Sequence, residues 1–152
     1  MSLSKTELKT WLRYVSGMSS LAKALDHQLR TESNLSIDDF GILSRLSSSP
    51  DSSLRMTELA AQLSYSPSRL SHAITRMAKL GWVERNRASG DGRGVVARLT
   101  PAGDLTLRQA WPGHSALIRK LVVDILTQSE LAEFESIFIK IDQAATEHNE
   151  TR

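Results

Sequence analysis

One amphipathic segment in the middle of this chain is framed by two signals that stop or start helices. Ser66 stands before Pro67, and Gly81 follows the last apolar position of the segment. A serine N-cap, a proline at the first helical position and a terminal glycine predict a helix over 67–80. Spaced about 100° apart per residue, its apolar residues share one face: Leu70, Ala73, Ile74, Met77 and Leu80.

A β-hairpin is predicted directly after this helix. Residues 82–85 and 95–99 have the apolar and β-branched composition of strands, and the connection between them holds Gly90, Gly92 and Gly94. A short helix capped by Thr57 and a turn at 64–66 precede the 67–80 helix. This order of elements predicts a winged helix-turn-helix, with residues 82–99 as the wing.

Positive charge is concentrated on the same two elements. Residues 67–98 contain seven Lys or Arg and two acids, a net charge of +5, whereas the rest of the chain carries −3 and the whole chain +2. Each phosphate that a cation neutralises releases counterions, so a cationic helix and hairpin are typical of nucleic-acid binding. For the helix taken alone, an ordinary solvated charged face is the alternative.

The solvent side of the 67–80 helix mixes small hydroxyls with bases, which suits the floor of a major groove. We expect Ser68, Arg69 and His72 to contact bases or nearby phosphates, and Arg76 and Lys79 to contact phosphates. Together with the hairpin, the predicted nucleic-acid contacts are Ser66, Ser68, Arg69, Ser71, His72, Thr75, Arg76, Lys79, Arg85, Arg87 and Arg93.

The tip of the hairpin predicts a minor-groove contact. Arg93 lies near the tip, and narrow minor grooves attract arginine because they concentrate negative potential. Asp91 stands two residues earlier, where an ion pair with Arg93 would orient the guanidinium. A mobile, solubilising surface loop is the alternative for this segment.

Further helices flank the winged module. Apolar residues at three- and four-residue steps from Trp11 to Leu29 predict a first helix, followed by a polar break over 31–35. Ser36 and Asp39 form a capping-box pattern for a second helix. A loop over 47–53 and a short strand over 54–56 follow.

After the hairpin, two more helix starts are visible. Thr100 before Pro101 starts a helix that Pro112-Gly113 is expected to kink or break, because proline removes a backbone donor. Thr127 and Glu130 form a capping box for the last helix, whose apolar stripe is Leu131, Phe134, Ile137, Phe138 and Ile141.

The predicted fold is mainly α with a small β-hairpin, a winged helix-turn-helix core between terminal dimerisation helices. Residues 1–35 would form the N-terminal dimerisation helix, 36–100 the DNA-binding domain, and 101–152 the helices that complete the dimerisation domain. The terminal helices carry more apolar surface than so small a core can cover, so we expect a twofold pairing with a second copy.

Composition argues against several classes of protein. The chain has no cysteine, which excludes disulfides, zinc–thiolate sites and thiol redox sensing. His27, His72, His114 and His148 are isolated, so no metal, cofactor or catalytic site is expected, and an enzyme is not predicted. No apolar run approaches the roughly 20 residues of a membrane span, and no leader is apparent, so we expect a cytoplasmic protein without membrane contact.

Several motifs together resemble the MarR family of bacterial transcription regulators, named for multiple antibiotic resistance. The resemblance extends from Trp11 to Ala145. Its most specific parts are RMTELA at 55–60, the 66–81 segment, Val83-Glu84-Arg85, Asp91-Gly92-Arg93 and LTPAG at 99–103. The chain departs from the family at Ala88-Ser89, where an Asp-Pro pair is common, and at Gly92 and Gly94, where arginine is common.

The resemblance implies a homodimer on a palindromic DNA operator, and a repressor relieved by a small phenolic or anionic ligand. A ligand acts only by favouring one spacing of the two DNA-binding heads. Candidate residues for the ligand crevice are Trp11, Arg13, Tyr14, Trp111 and His114, although core or dimer contacts are the alternative for these aromatics. A winged-helix module that binds a protein partner instead of DNA is the alternative function.

Overall fold

The computed structural model describes residues 2–87 and 94–150. The described residues form two compact units, which divide between His114 and Ser115. Helices and strands, in chain order, are α1 (Lys5–Ser33), α2 (Ile37–Ser47), β1 (Ser53–Arg55), α3 (Met56–Leu63), α4 (Pro67–Lys79), β2 (Val83–Arg87), β3 (Val95–Leu99), α5 (Pro101–Ile118) and α6 (Gln128–Glu150). The mainly α fold with a small antiparallel sheet is as predicted, and the division into functional segments at 35 and 100 stays a prediction.

The first two helices begin and end at well-defined caps. Glu7 and Ser4 form a capping box at the start of α1, and Asn34 ends it in the left-handed conformation with φ 54°. The predicted polar break from residue 31 was therefore too early, because α1 remains helical to Ser33. The capping box of Ser36 and Asp39 at the start of α2 is confirmed.

The sheet has three strands in the order β1-β3-β2, and both pairings are antiparallel. Ala97 of β3 lies opposite Leu54 on one side and Arg85 on the other. The predicted loop over 47–53 was wrong in part: Pro50–Ser52 form a 3-10 turn and Ser53 belongs to β1. Helix α3 starts one residue before the predicted cap Thr57, because the Glu58 carboxylate already accepts the Arg55 N–H at 3.2 Å.

Helix α4 is joined to the hairpin and to α5 by one threonine. The predicted N-cap at Ser66 and stop at Gly81 are confirmed, and Gly81 has φ 75°, which favours glycine. Thr100 Oγ1 donates to the Gly81 carbonyl at 2.6 Å and accepts the Gly103 N–H at 3.0 Å. A Cβ on Gly103 would overlap the carbonyl oxygen of Trp82, so α5 can approach the sheet this closely only with glycine there.

The predicted break at Pro112 was wrong, and a kink there stays a prediction. Helix α5 runs as an α-helix from Pro101 to Ile118 with Pro112 inside it. Leu107, Ala110 and His114 are buried on α5, and this packing offsets the backbone hydrogen bond that proline removes. Gly113 allows close packing against α1, because a Cβ there would meet the Glu32 carboxylate.

The core of the first unit is built from aliphatic side chains of α1 to α5 and the sheet. Its fully buried large residues are Leu29, Leu35, Ile42, Leu43, Leu46, Leu59, Leu70, Ile74, Met77 and Val83. The N-terminal half of α1 is different, since its apolar side chains are exposed: Leu8, Trp11, Leu12, Val15 and Met18. In the second unit, α6 likewise exposes Phe134, Ile137, Ile139 and Ile141.

Candidate nucleic-acid interface

A helix-turn-helix is formed by α3, a short turn and α4. Ser64 adopts the left-handed conformation with φ 52°, and the Tyr65 N–H donates to the Ala60 carbonyl at 2.9 Å. Ser66 then accepts the Arg69 N–H on its hydroxyl at 3.2 Å and starts α4. The buried positions Leu70, Ile74 and Met77 fix which side of α4 faces the core.

The predicted contact residues of α4 do not all share one direction. Successive helical positions are about 100° apart, so Ser68, His72, Thr75 and Lys79 form the strip that points most directly away from the core. All four are exposed. Ser71 is half-buried on the side that faces the hairpin, where it lines an open cavity together with Arg85. Helix α4 and strand β2 therefore flank one surface.

Arg69 and Arg76 lie on the opposite flank of α4, two turns apart, and both contact the start of α2. Arg69 Nη2 donates to Asp38 Oδ2 at 2.8 Å, and the guanidinium carbon lies 4.0 Å from the centre of the Tyr65 ring. The Tyr65 hydroxyl donates to the second Asp38 oxygen at 2.6 Å. Arg69, Asp38 and Tyr65 thus form a closed triangle of contacts, which we call the Arg69 triad.

The contacts of the Arg69 triad shift the pKa values of both Asp38 and Tyr65. Burial raises the pKa of Asp38, but hydrogen bonds from Tyr65 and Arg69 outweigh it and leave that pKa below its ordinary value. Burial, together with the hydrogen bond to Asp38, raises the pKa of Tyr65 to about 12. The hydroxyl therefore stays protonated, and remains a donor, at every pH near neutrality.

Arg76 is held by a carboxylate that is almost entirely buried. Its Nη1 donates to Asp39 Oδ2 at 3.0 Å, its Nη2 donates to Asp39 Oδ1, and the Asp39 side chain is 4% exposed. Asp39 also accepts hydrogen bonds from Ser36 at the start of α2. The paired charge raises the pKa of Arg76. In this structure Arg76, predicted to contact phosphate, joins α4 to α2.

The hairpin positions its described arginines on the outer part of β2. Val83 is buried at the base of the strand, and Arg85 and Arg87 continue the same face outward, where both are exposed. Cross-strand partners are Ala97 for Arg85 and Val95 for Arg87. The predicted minor-groove residue Arg93 and its orienting partner Asp91 lie outside the described residues, and their roles stay predictions.

The candidate ligand residues form two separate aromatic groups. Trp111 and His114 of α5 both pack on Phe40, with ring centres 5.9 and 4.3 Å away. His114 is 5% exposed, and its Nδ1 donates to Gln28 Oε1 at 3.1 Å. Burial lowers the pKa of His114, which favours the neutral imidazole over the charged form.

On α1, Trp11 and Tyr14 contact each other with ring centres 5.6 Å apart. Arg13 lines a cavity on α1 with Leu8 and Leu12, whereas Trp111 lines another cavity between α2 and α5. The structure therefore brings together members of each group, and a single crevice that contains all five residues stays a prediction.

Comparison with known proteins connects this geometry to a family. Residues 33–94 match the MarR family. A MarR-family transcriptional regulator of Streptomyces coelicolor, Sco3205, whose crystal structure is in complex with DNA, has 35% identity and a TM-score of 0.91; the match covers 95% of this chain and 91% of Sco3205. The chain belongs to the MarR family.

Other relatives agree with this assignment to the MarR family. The Streptomyces coelicolor regulator AbsC has 33% identity and a TM-score of 0.90, with 96% of this chain and 98% of AbsC covered. The HTH-type transcriptional repressor MdtR of Bacillus subtilis (strain 168) is 26% identical over 93 residues, which span 61% of this chain and 59% of MdtR. The family resemblance inferred from the motifs is confirmed.

The MarR-family relatives named above are transcription regulators. Over residues 2–87 and 94–150, the structure contains no cluster of three or more His, Asp or Glu that could hold a metal ion. In the same part of the chain, no helix is both long and apolar enough to cross a membrane.

Sequence reasoning missed the contacts of Asp38 and Tyr65 with Arg69, and it missed the ion pair that Asp39 forms with Arg76. The capping box did single out Asp39, but as a helix cap and not as a partner of Arg76. Asp38 and Arg69 are 31 residues apart, and Asp39 and Arg76 are 37 apart. Nothing in the local pattern connects residues at such separations, so only the packed fold could reveal the pairs.

Proposed function

We propose that this chain is a homodimeric, sequence-specific DNA-binding regulator that contacts its operator through α4 and the hairpin. The observation that supports this most directly is the surface shared by α4 and β2. Ser68, His72, Thr75 and Lys79 of α4 point away from the core, and Arg85 of β2 lies beside Ser71 of the same helix. Small side chains allow a helix to approach base edges, and the cations neutralise phosphates.

The strip of α4 that points away from the core enters the major groove, and it consists of Ser68, His72, Thr75 and Lys79. Arg69 approaches the DNA from the flank of the helix. Arg85 and Arg87 contact the backbone beside the groove, and Arg93 with Asp91 extends the contact from the wing. Arg76 contributes mainly by holding α4 against α2. Sco3205, which shares 35% identity, has been crystallised with DNA, and its fold matches this chain over 95% of its length.

A second copy of the chain is proposed to cover the exposed apolar faces of α1 and α6. Trp11 and Leu12 are 53% and 57% exposed, and Ile137 on α6 is 52% exposed. Several large apolar side chains on one helix face are unfavourable in water and typical of an oligomer interface. A twofold dimer carries two copies of α4, which matches a palindromic operator.

The dimer proposal predicts a clear effect of charge on this face. Trp11→Asp combined with Leu12→Asp should convert a dimer to a monomer, as measured by sedimentation equilibrium, because each buried carboxylate would lack a partner. Thr10→Asp, on the opposite side of α1, is the matched control and should leave the dimer intact. A wild-type protein that sediments as a monomer would contradict the proposal.

Repression and ligand response complete the proposal. The relative MdtR is a transcriptional repressor, and we extend that role to this chain. Small phenolic or anionic compounds are proposed to bind near Trp11, Arg13, Tyr14, Trp111 and His114 and to change the spacing of the two DNA-binding heads. Phenol and benzoate serve as probes: either should raise the melting temperature of the protein and weaken operator binding.

Selection from a random-sequence DNA library tests the main proposal. The protein should enrich a palindromic duplex, and its affinity for that duplex should fall steeply as salt rises. Arg45→Ala, which removes an exposed cation of α2 away from α4 and β2, is the control and should bind as the wild type does. Failure to enrich any sequence would refute DNA recognition and favour the protein-binding alternative.

A further inference from the structure

Arg69 differs from an ordinary surface cation in that its charge is matched and its plane is fixed before any ligand binds. Asp38 accepts one of its N–H groups at 2.8 Å, and the Tyr65 ring lies against its guanidinium at 4.0 Å. The Arg69 side chain is still 55% exposed, so other donors of the guanidinium face solvent. The pair carries no net charge, yet it presents a directional set of donors at the first turn of α4.

These properties separate two contributions that arginine makes to DNA binding. A free guanidinium attracts any phosphate, and this attraction is independent of sequence and sensitive to salt. A guanidinium held in one plane donates well only to acceptors in matching positions, and this is the property that distinguishes one sequence from another. The Arg69 triad weakens the first contribution and strengthens the second.

We propose that Asp38 and Tyr65 are specificity-determining positioning residues, which hold Arg69 so that it discriminates between DNA sequences instead of attracting all of them. Each member has a distinct part. Asp38 cancels the long-range charge, the Tyr65 ring fixes the plane, and the Tyr65 hydroxyl fixes Asp38 through its 2.6 Å hydrogen bond. The inference rests on the proposed function, because it assigns roles within the same interface.

Tyr65→Phe provides the cleanest test, because it removes the hydroxyl and leaves both the ring and the charges. Two probes are needed: the duplex that the wild type enriches most from a random library, and a shuffled duplex of the same composition. We expect about three- to tenfold weaker binding to the enriched duplex, the scale of freezing one long side chain, with little change for the shuffled one. The salt dependence should be unchanged.

Asp38→Asn should act mainly on the shuffled duplex, because it removes the carboxylate that compensates the charge of Arg69. Binding to the shuffled duplex should tighten, the salt dependence should steepen by about one phosphate contact, and discrimination between the two duplexes should fall. Asp142→Asn makes the same change at an exposed carboxylate of α6, outside α4 and the hairpin, and is the matched control. It should leave discrimination unchanged.

A double-mutant cycle with Arg69→Ala decides whether Tyr65 and Asp38 act through Arg69. In the Arg69→Ala background, Tyr65→Phe should produce no further loss of discrimination. Thermal unfolding of each variant verifies that the fold is retained. If Tyr65→Phe does not fold, the effect of Asp38→Asn on discrimination between the two duplexes tests the inference.

Two results would overturn the inference while the wild type still binds its enriched duplex: unchanged discrimination in both variants, or losses that simply add to that of Arg69→Ala. A wild type that enriches no duplex would refute the proposed function, and the inference would fail with it.

Discussion

The arginines of α4 and those of β2 have the same side chain but different surroundings in the fold. Arg69 and Arg76 of α4 are paired with Asp38 and Asp39 from the first turn of α2. Within the described residues, Arg85 and Arg87 of β2 have no acidic side chain at salt-bridge distance. The two arginines of α4 are therefore already compensated by acids, whereas the two described arginines of β2 are not.

This difference shows that the number of basic residues overestimates the positive field around α4. A compensated arginine contributes little to long-range attraction and more to packing and orientation. An exposed, unpaired arginine contributes chiefly to attraction of phosphate. We therefore expect substitutions in α4 to affect stability or discrimination, and substitutions in β2 to affect affinity and its salt dependence.

Arg76→Ala should have the largest effect and should act on stability. Its removal leaves the buried Asp39 carboxylate without its cation, so we expect a loss of about 2–3 kcal/mol in the free energy of unfolding. Urea denaturation measures the loss. Arg87→Ala, which removes an exposed cation of β2, is the comparison and should change stability by less than about 0.5 kcal/mol.

The charge of Asp39 is the proposed origin of this loss, and a second substitution tests it. Adding Asp39→Asn to Arg76→Ala removes the unpaired charge and keeps an oxygen that can cap α2, so part of the stability should return. Equal stability losses for Arg76→Ala and Arg87→Ala would show that the arginines of α4 and β2 do not differ in their contribution to the free energy of unfolding.

Arg85→Ala should have an intermediate effect, and it should act on DNA binding alone. Loss of one phosphate contact is expected to weaken binding to all duplexes by about tenfold and to make the salt dependence shallower by about one unit of slope. Fluorescence anisotropy across a salt series measures both quantities. A loss confined to one sequence would instead place Arg85 at a base edge.

The titration of Tyr65 should be visible only at alkaline pH and has no effect near neutrality. In a Tyr14→Phe background Tyr65 is the remaining tyrosine, and its phenolate absorbance should appear with a midpoint of about 12, above the value of about 10 for a free tyrosine. Because its folded pKa is raised, the stability it contributes is complete below pH 10 and is lost as the pH rises through 12.

Asp38→Asn should lower this midpoint, since the neutral amide no longer disfavours the phenolate. An unchanged midpoint in that variant would show that burial alone holds the Tyr65 proton. The hydrogen bond between the Tyr65 hydroxyl and Asp38 would then contribute little to the Arg69 triad. It would also contribute little to the difference between the compensated arginines of α4 and those of β2.

Much of the fold followed from local patterns. Caps and stops at Ser36, Ser66, Gly81 and Thr127 were predicted because each depends on residues within one helical turn. The core face of α4 followed from helical periodicity in the same way. The motifs also carried the MarR-family resemblance that the comparisons confirm.

The break predicted at Pro112 does not occur, because proline has a local cost that distant packing can offset. Leu107, Ala110 and His114 are buried against other elements of the first unit, and the helix continues through the proline. A local rule describes the loss of one backbone hydrogen bond, but it does not include the stabilisation that burial against distant elements provides.

The sequence by itself determined which helix would expose hydroxyls and bases, since the periodicity of α4 separates its core side from its solvent side. Only the tertiary structure decided which of those bases are compensated. Arg69 and Arg76 meet acids 31 and 37 residues away in the chain, brought within hydrogen-bonding distance by the packing of α2 against the helix-turn-helix. Electrostatic pairing depends on distance in space, and distance along the chain does not report it.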